Sequence, residues 1–543
     1  MVIPELLQAL KPLGFRRREP QPSGVTLAME GELETRFGMV PCDVFIDREP
    51  RSFPRIVLRS PLPPQLLPLA PHIGADGFLC YVAEDTVVFD MYRPVSQTIA
   101  SLKRAATVLD QIMAGDRVDE LAEEFFAFWP GKYCYSDIEN RGSSKIEMLW
   151  FGRGQWGVLT DNKVRTIAKF SRIFGGLSPD RDAASTIRTK ISPRPAFGEW
   201  PPKTLCQMLD WQSKLDPPCR RKILKLVVQA YRAGLAQVFI MIDAPTMQYG
   251  FFVKGLQKHK RVSRSDQRTP VFEALIKGVN VVRMDDRYIV ERNIPGHSTL
   301  AGKKIALAGC GTIGGYLADL LVRAGAGSSG GELVLIDNQP LAPGNIGRHR
   351  LGMNRLESNK ATGLRSELLT TMPSASVVAI PDDACSVNFS GFDLVIDATG
   401  EQGFGNWLAG QQAVGCILKN GERTPLLHVW IDGAGEAVRT LFKRHNSEGC
   451  YRCLCDYERD HLFLSVQGGV QRILSGGGCE GRFVAYPASV SVQAAALALD
   501  SALAWVNATP WPQLSTRVLS QSQQAMDGDL TMLPRRGCPA CNS

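Results

Sequence analysis

A glycine-rich turn between an apolar strand and a helix is the feature that most constrains this chain. The segment Ala306-Leu307-Ala308-Gly309-Cys310-Gly311-Thr312-Ile313-Gly314 carries the pattern G-x-G-x-x-G. The first glycine permits a tight turn, the second lets the backbone approach a phosphate, and the third lets the helix pack on the strand. Because the first helical turn has free N–H groups, an anion binds well there. The segment therefore predicts a strand–turn–helix unit that binds a nucleotide.

The turn alone does not identify the nucleotide. Asp337 follows Gly314 by 23 residues and ends the apolar run Glu332-Leu333-Val334-Leu335-Ile336. A carboxylate at that position can hold ribose hydroxyls. This pattern suits NAD as well as ATP, and a nicotinamide enzyme is the default interpretation.

Charged residues further along the chain favour ATP. Arg348, in the element Asn345-Ile346-Gly347-Arg348, and Lys360 supply cations that a reaction at the α-phosphate needs. Asp397 ends a second apolar strand, where a carboxylate can hold Mg2+. The alternatives are that the two cations are solvated helix charges and that Asp397 caps the following helix.

These elements resemble the ThiF/MoeB and ubiquitin-activating adenylation family, which carries them in the same order. The matching residues are Gly309, Gly311, Gly314, Asp337, Asn345, Arg348, Lys360 and Asp397. Ile346 replaces the usual leucine, and Asp397 is not followed by the usual Asp-Asn. The resemblance covers residues 285–543 and implies a Rossmann-like adenylation domain that uses ATP and Mg2+.

Two C-x-x-C pairs predict a metal site. Cys450 and Cys453 form the first pair, and Cys538 and Cys541 form the second. Four cysteines in this arrangement suit a tetrahedral zinc ion, and many members of the adenylation family carry a structural zinc of this kind. Cys455 is a competing ligand, and disulfides or free thiols are the alternative.

Cys479 belongs to neither pair and lies among glycines in Ser475-Gly476-Gly477-Gly478-Cys479-Glu480-Gly481. Glycines remove steric cover, and a flexible loop would let a thiolate reach an acyl-adenylate. Ubiquitin-activating enzymes form a thioester on a cysteine of this kind. The alternative is a buried structural cysteine.

The N-terminal third contains a second candidate nucleophile, Cys80. The chain carries in order a strand entered from a proline, Phe53-Pro54-Arg55-Ile56-Val57-Leu58, then a proline-rich stretch, His72, the segment Gly77-Phe78-Leu79-Cys80 and a helix that opens at Pro94. This order resembles the ubiquitin-conjugating fold, although the Asn that usually follows the His is absent. The alternative is that Cys80 is a core cysteine between apolar neighbours.

The whole chain resembles the fused transferases of cGAS-like anti-phage (CBASS) operons. This resemblance implies that the C-terminus of a cGAS-like nucleotidyltransferase is the acyl donor and that a lysine of another protein is the acceptor. The resemblance to the adenylation family further implies a homodimer, and we expect a cytoplasmic protein. We expect a multidomain protein of α/β and α+β class: a ubiquitin-conjugating-like domain at residues 1–118, a mixed α/β linker domain at residues 119–284, and the adenylation domain at residues 285–543.

Composition adds little about partners. We expect no membrane span, because no run approaches the roughly 20 apolar residues that one requires. The net charge is +8, and residues 153–194 carry nine Lys/Arg against three Asp. Such a patch could meet an acidic partner, but a solvated surface is the simpler interpretation, and we expect no nucleic-acid partner.

Three functions remain open at this stage. The first is a conjugating enzyme that forms thioesters on Cys479 and Cys80. The second is a sulfur-carrier adenylyltransferase of the MoeB/ThiF type, in which Cys80 has no catalytic part. The third is an NAD-binding oxidoreductase or scaffold without thiol chemistry.

Overall fold

The computed structural model describes most of the chain. The described residues are 2–19, 26–47, 51–67, 70–74, 76–82, 87–129, 131–140, 146–195, 200–256, 269–470, 474–475, 483–521, 524–525 and 530–541. The chain divides into two compact units. Residues 1–135, 144–149 and 180–282 form the first unit, and residues 136–143, 150–179 and 283–543 form the second.

The first unit begins with an antiparallel sheet of four strands in the order β1-β2-β3-β4. The elements are α1 (Val2–Leu10), β1 (Arg16–Arg17), β2 (Thr26–Thr35), β3 (Gly38–Asp47), β4 (Arg55–Leu58) and α2 (Pro94–Ala114). Helix α2 buries Leu102, Ala105, Leu109 and Ile112, which lie on one face at helical spacing. It ends at Gly115, whose φ of 82° is the left-handed conformation of a helix C-terminus. The strand and the helix predicted on either side of Cys80 are both confirmed.

A closed barrel follows, in the strand order β10-β11-β5-β7-β6-β8-β9. Its strands are β5 (Lys132–Asp137), β6 (Ile146–Phe151), β7 (Trp156–Thr160), β8 (Leu177–Arg188), β9 (Gln237–Asp243), β10 (Gln248–Lys254) and β11 (Leu275–Arg283). The accompanying helices are α3 (Phe125–Phe128), α4 (Lys163–Phe174), α5 (Leu205–Leu215), α6 (Pro217–Arg232) and α7 (Thr269–Phe272). The mixed helix and strand content was predicted, whereas closure into a barrel was not.

The second unit contains a sheet of seven strands in the order β14-β13-β12-β15-β18-β19-β22. Its strands are β12 (Lys304–Ala308), β13 (Glu332–Ile336), β14 (Val377–Ile380), β15 (Leu394–Asp397), β18 (Leu426–Asp432), β19 (Ala437–Lys443) and β22 (Leu514–Val518). The first five in this order are parallel, and the last two are added antiparallel. Strand β12 has β13 on one side and β15 on the other. The strands that follow β12 are therefore added first on one side of it and then on the other, which leaves a crevice at the carboxyl ends of the strands. Open α/β sheets bind ligands at such a point.

Helices and two small hairpins complete the second unit. They are α8 (Asp286–Glu291), α9 (Thr312–Arg323), α10 (Lys360–Thr371), α11 (Gln402–Ala413), β16 (Leu418–Lys419), β17 (Glu422–Arg423), α12 (Tyr451–Arg459), β20 (Leu474–Ser475), β21 (Phe483–Val484) and α13 (Ala488–Val506). Short 3-10 turns lie at Lys11–Leu13, Pro64–Leu66, Val118–Ala122, Pro343–Asn345, Met353–Arg355 and Ala384–Ser386.

Helix α13 is long and apolar enough to cross a membrane by length and composition, and it is the one such helix in the described part of the chain. Half of its most apolar window is buried. Ala494, Ala498 and Ala502 lie in the core of the second unit, where the helix packs against α9 and strand β19. The expectation that no run approaches a membrane span in length and apolar composition therefore does not hold for α13, but the helix packs as a core helix.

The basic stretch at residues 153–194 is not simply a solvated surface. The Lys169 ammonium is 4% exposed and contacts Asp137 at 3.2 Å and Asp286 at 2.6 Å. Arg165 pairs with Asp161 at 2.7 Å and with Asp137 at 3.3 Å. Two of the nine basic residues therefore hold helix α4 in place within the second unit, because their carboxylate partners lie on other segments of it.

His72 in the first unit is half-buried between two carboxylates. Its Nδ1 lies 2.6 Å from Glu124, its Nε2 contacts Glu120, and its backbone N–H donates to Glu124. The hydrogen bond to Glu124 is the main cause that raises the pKa of His72, and Glu120 adds to it against the opposing effect of burial. His72 therefore stabilises the fold in its protonated form.

We predict that the contribution of His72 to stability falls as the pH rises. Its pKa is higher in the folded than in the unfolded chain, so the stabilisation is complete below roughly pH 6.5 and is lost as the pH passes the folded pKa. The variant H72Q should be less stable than the wild type by about 1 kcal/mol at pH 6, with a smaller difference at pH 9. Thermal denaturation across this range measures the difference, and an equal gap at both ends would contradict the assignment.

Candidate functional site

The glycine turn after β12 has the geometry that its sequence predicts. Gly309 has a φ of 87°, and a Cβ on this residue would lie 2.7 Å from the backbone nitrogen of Thr399. A Cβ on Gly314 would lie 1.8 Å from the carbonyl oxygen of Gly309. A Cβ on Gly311, by contrast, would meet nothing within 4 Å, and Gly311 is the N-cap of α9. The turn thus leaves an open cradle in front of a helix N-terminus, which suits a phosphate group.

Asp337 is tied to this turn. Its carboxylate accepts a hydrogen bond of 2.8 Å from the backbone N–H of Cys310 and a second of 2.8 Å from Gln339. It lies directly after β13, at the same sheet edge as the glycine turn. The predicted ribose-binding carboxylate is therefore fixed beside the predicted phosphate cradle.

The two predicted cations face one large cavity of about 1100 Å3 at this edge. Lys360 is 6% exposed, begins helix α10, and donates from Nζ to Gln339 at 2.8 Å. Arg348 donates to the carbonyl of Val484 at 2.8 Å, and its guanidinium lies 4.5 Å from the ring centre of Tyr486. Neither cation makes an ion pair among the described residues, so their charge is available to an anionic ligand.

Five of the eight predicted nucleotide residues line this cavity: Gly309, Gly311, Asp337, Arg348 and Lys360. Gly314, Asn345 and Asp397 are not among its described lining residues. Gly314 packs α9 on the turn, and the Asn345 side chain accepts a bond of 3.0 Å from the N–H of Ala342. Asn345 thus shapes the turn that carries Arg348.

Asp397 ends strand β15, one residue before the lining residue Ala398, and is 4% exposed. One of its oxygens accepts from the Thr399 N–H at 3.0 Å and from the Thr399 hydroxyl at 2.7 Å. The other oxygen lies 2.9 Å from Nδ1 of His428. Thr399 itself lines the cavity. These contacts supply the local hydrogen bonding of Asp397 in a chain that lacks the usual Asp-Asn.

The sequence analysis missed three contributors to this site. His428 lies in the middle of an apolar strand, and that isolated polar residue was the available signal. His349 is 5% exposed and its Nε2 lies 2.8 Å from the carbonyl oxygen of Cys310, while its Nδ1 accepts from Leu351. Burial lowers the pKa of His349 and favours the neutral ring that this arrangement requires. Aromatic side chains form part of the cavity wall, namely Phe404, Trp407, Trp430, Tyr451, Phe483 and Tyr486.

The cavity is large enough for a nucleotide together with the end of a peptide, since ligand sites measure about 300–1,000 Å3. Its polar groups fit ATP: a phosphate cradle, a carboxylate for the ribose and two cations near the cradle. Asp382, Asp383 and Glu401 add carboxylates to the lining. Such oxygen ligands are those that Mg2+ prefers.

The two C-x-x-C pairs meet in space. The sulfur atoms of Cys450, Cys453, Cys538 and Cys541 all lie within 4.8 Å of one another, and the closest pairs are 3.6–3.8 Å apart. Four sulfurs bound to one zinc at 2.3 Å would be about 3.8 Å apart, because that is the edge of the tetrahedron. No disulfide joins the described cysteines. The cluster can therefore hold a metal ion of zinc type.

Two further observations define the cluster. The Lys443 ammonium lies 3.6 Å from the sulfur of Cys541. Hydrogen bonds from Cys450 and Cys453 lower the pKa of Cys541, and Lys443 adds to that effect. Cys455, the competing ligand in the sequence analysis, lies outside the cluster and lines the large cavity.

Of the two predicted nucleophiles, Cys80 and Cys479, the structure describes only Cys80. Cys80 is half-buried, its backbone N–H donates to the carbonyl of His72 at 2.8 Å, and its sulfur lies 3.7 Å from the carbonyl oxygen of Val82. Its neighbours Leu79 and Tyr81 are buried and anchor the segment. Cys479 lies outside the described residues.

Comparisons with known proteins identify the family of the chain. The ThiF family matches residues 289–539, and prokaryotic E2 family B matches residues 15–133. The chain is 43% identical over 517 residues to the ATP-dependent ubiquitin transferase-like protein Cap2 of Pseudomonas aeruginosa, and the match covers 93% of this chain and 92% of the relative. The chain belongs to the Cap2 family.

More distant relatives match as well. Cap2 of Vibrio cholerae is 26% identical, with 87% of this chain and 86% of the relative covered. A molybdopterin-synthase adenylyltransferase of Salmonella typhimurium is 26% identical over 203 residues, which are 35% of this chain and 75% of that protein. A solved structure of E. coli MccB with AMPCPP and MccA has a TM-score of 0.34 and 17% identity, covers 52% of this chain and 75% of that chain, and at this score carries no argument.

Family membership confirms the predicted fold class and the predicted class of enzyme. The N-terminal domain is of conjugating type, the C-terminal domain is of ThiF type, and the chain is an activating and conjugating transferase. The conjugating-type match runs to residue 133 rather than 118. The predicted domain boundaries and the roles of individual site residues stay predictions.

Proposed function

We propose that this chain activates the C-terminal carboxylate of a protein with ATP, carries the acyl group on Cys479 and then on Cys80, and transfers it to a lysine amine of a target. The observation that carries this proposal is the cavity where the glycine turn, Asp337, Arg348 and Lys360 converge. The same chain also contains a conjugating-type domain with a half-buried cysteine. If one chain has both an activating site and a conjugating site, the acyl group that the first site activates must be passed to the second.

The first step forms an acyl-adenylate. A carboxylate oxygen of the donor attacks the α-phosphorus of ATP, and pyrophosphate leaves. Arg348 and Lys360 neutralise the negative charge that grows on the phosphate oxygens, and their positive charge is available because neither makes an ion pair with a described residue. Mg2+ would add positive charge at the phosphates, with Asp397 as its proposed carboxylate ligand.

The next steps are thiol exchanges. The Cys479 thiolate attacks the adenylate carbonyl and AMP leaves, which forms a thioester. The Cys80 thiolate then takes the acyl group and releases Cys479. Finally a lysine amine attacks this thioester, loses a proton and expels the Cys80 thiolate, which leaves an amide. Thiolates suit both tasks, because they are good nucleophiles and good leaving groups.

The family resemblance suggests the donor. We propose that the acyl donor is the C-terminus of a cGAS-like nucleotidyltransferase in a CBASS anti-phage system, and that conjugation primes this enzyme. We further propose a cytoplasmic homodimer. The relatives that share the Cap2 name are the support for this assignment.

The adenylation step predicts two loss-of-function variants. K360A and D397A should each reduce donor-dependent ATP–pyrophosphate exchange by about 10² to 10³, because each removes a charged group that stabilises the transition state or its metal. K419A is the matched control, since Lys419 pairs with Asp393 before strand β15, at the opposite end of that strand from Asp397. Wild-type exchange in both test variants would refute the assignment.

The cysteine cluster predicts a bound metal. Freshly purified protein should contain about one zinc per protomer, and C450S/C538S should lose it and unfold at a lower temperature. The control C206S/C416S replaces two exposed cysteines and should keep the zinc. Wild-type protein without zinc by elemental analysis would exclude the four-cysteine zinc site.

The order of the two thiols predicts an asymmetry. C479A should form the acyl-adenylate but no thioester, because the first acceptor is missing. C80A should accumulate a thiol-sensitive adduct on Cys479 and yield no amide product, because the later transfer is blocked. Mass spectrometry of the trapped adducts locates them, and C206A is the control.

One outcome would separate binding from catalysis in the N-terminal domain. If C80A supports full conjugation, this domain only binds a partner and the second thiol transfer does not occur.

A further inference from the structure

We propose that His428 is a positioning residue that fixes the carboxylate of Asp397 for the adenylation step, and that Tyr451 holds the His428 ring in place. The inference rests on the proposed function, because it depends on the part that Asp397 plays there.

His428 and Asp397 are in direct contact. Asp397 and His428 are register partners on the parallel strands β15 and β18. His428 is 2% exposed, and its Nδ1 lies 2.9 Å from Oδ2 of Asp397. Because an ionised carboxylate can only accept, Nδ1 carries the proton and donates it.

The second argument is that the two oxygens of Asp397 are fixed from different elements. Thr399, in the turn after β15, donates twice to Oδ1, whereas His428 on β18 donates to Oδ2. Thr399 alone would restrain one oxygen only. The bond from His428 restrains the other oxygen, and the two together set the plane of the carboxylate.

The third argument is the packing around His428. Its ring stacks on that of Tyr451 with centres 4.7 Å apart, and Trp430 meets Tyr451 edge-on at 5.7 Å. A Cβ on Gly405 would lie 2.7 Å from the Tyr451 ring, so helix α11 closes the other side. The ring of His428 thus has one stable orientation, the one that faces Asp397.

A buried polar pair of this kind is costly to desolvate, and an apolar pair of similar size would pack without that cost. A positioning function accounts for its presence at the carboxyl edge of the sheet, where Asp397 accepts from the Thr399 that lines the cavity. Groups that orient a metal-binding carboxylate change metal affinity or activity by about 10–100-fold when they are replaced.

The test compares replacements that keep or lose the donor at the Nδ1 position. The amide nitrogen of H428N can occupy that position, whereas the amide of H428Q reaches the Nε2 position, and H428L has no donor. The readout is the Mg2+ concentration required for tight binding of the ATP analogue AMPCPP, followed by tryptophan fluorescence, together with the Mg2+ dependence of ATP–pyrophosphate exchange.

We expect H428L and H428Q to require about 10–100-fold more Mg2+ than the wild type, and H428N to restore most of the response. Binding of AMPCPP without Mg2+ should be unchanged in all three. The control T424V removes a buried hydroxyl, two residues before strand β18, that donates to the carbonyl of Phe392, and should behave as wild type.

Other results overturn the inference. A wild-type Mg2+ dependence in H428L, or an H428N variant as impaired as H428Q, means that His428 is only a core residue. If H428L does not fold, the comparison of H428N with H428Q still decides. The variant D397A separates a failure of the proposed function from a failure of this inference. Wild-type ATP–pyrophosphate exchange in D397A refutes the part proposed for Asp397. Loss of exchange in D397A together with a wild-type Mg2+ dependence in H428Q refutes this inference alone.

Discussion

The backbone of the turn after β12 lies so close to its neighbours that side chains are excluded at two of its positions, Gly309 and Gly314. A Cβ at Gly309 would collide with the backbone at Thr399, and one at Gly314 would collide with the carbonyl of Gly309. This close approach lets Asp337 accept from the turn and places Thr399 beside the cradle. The arrangement of the whole nucleotide site follows from it, because α9, β13 and β15 all meet at this turn.

Polar groups beneath the cavity hold this geometry in place. His349 joins the segment that follows Arg348 to the glycine turn through the carbonyl of Cys310. His428 joins β18 to Asp397. Both histidines are almost fully buried, and each makes its bond from a ring that burial or stacking keeps in one orientation. Among the described residues Arg348 and Lys360 face the cavity without an ion pair, whereas Arg439, which also lines it, pairs with Asp432 and Glu458.

The order of motifs on the sequence was sufficient to predict the adenylation half, because parallel strands bring residues that follow them to one edge. The four-cysteine metal site was also predictable, since two C-x-x-C pairs supply four thiolate ligands and the fold of the chain between the pairs does not change that number. The barrel was not predictable, because continuous apolar runs such as Gln237–Asp243 do not reveal their strand partners. His428 was overlooked for a related reason: a single polar residue inside an apolar strand gives no indication of which neighbour it contacts. Cys479 lies outside the described residues, and its part rests on the glycines around it.

The central claim is that one chain both activates a carboxylate and carries it as a thioester. The most direct measurement is the intact mass of the wild-type protein after incubation with Mg2+, ATP and a cGAS-like nucleotidyltransferase that has its native C-terminus. The account predicts an ATP-dependent adduct equal to the donor mass minus one water, which excess thiol removes. The absence of any ATP-dependent adduct, with donor and enzyme both intact, would contradict it.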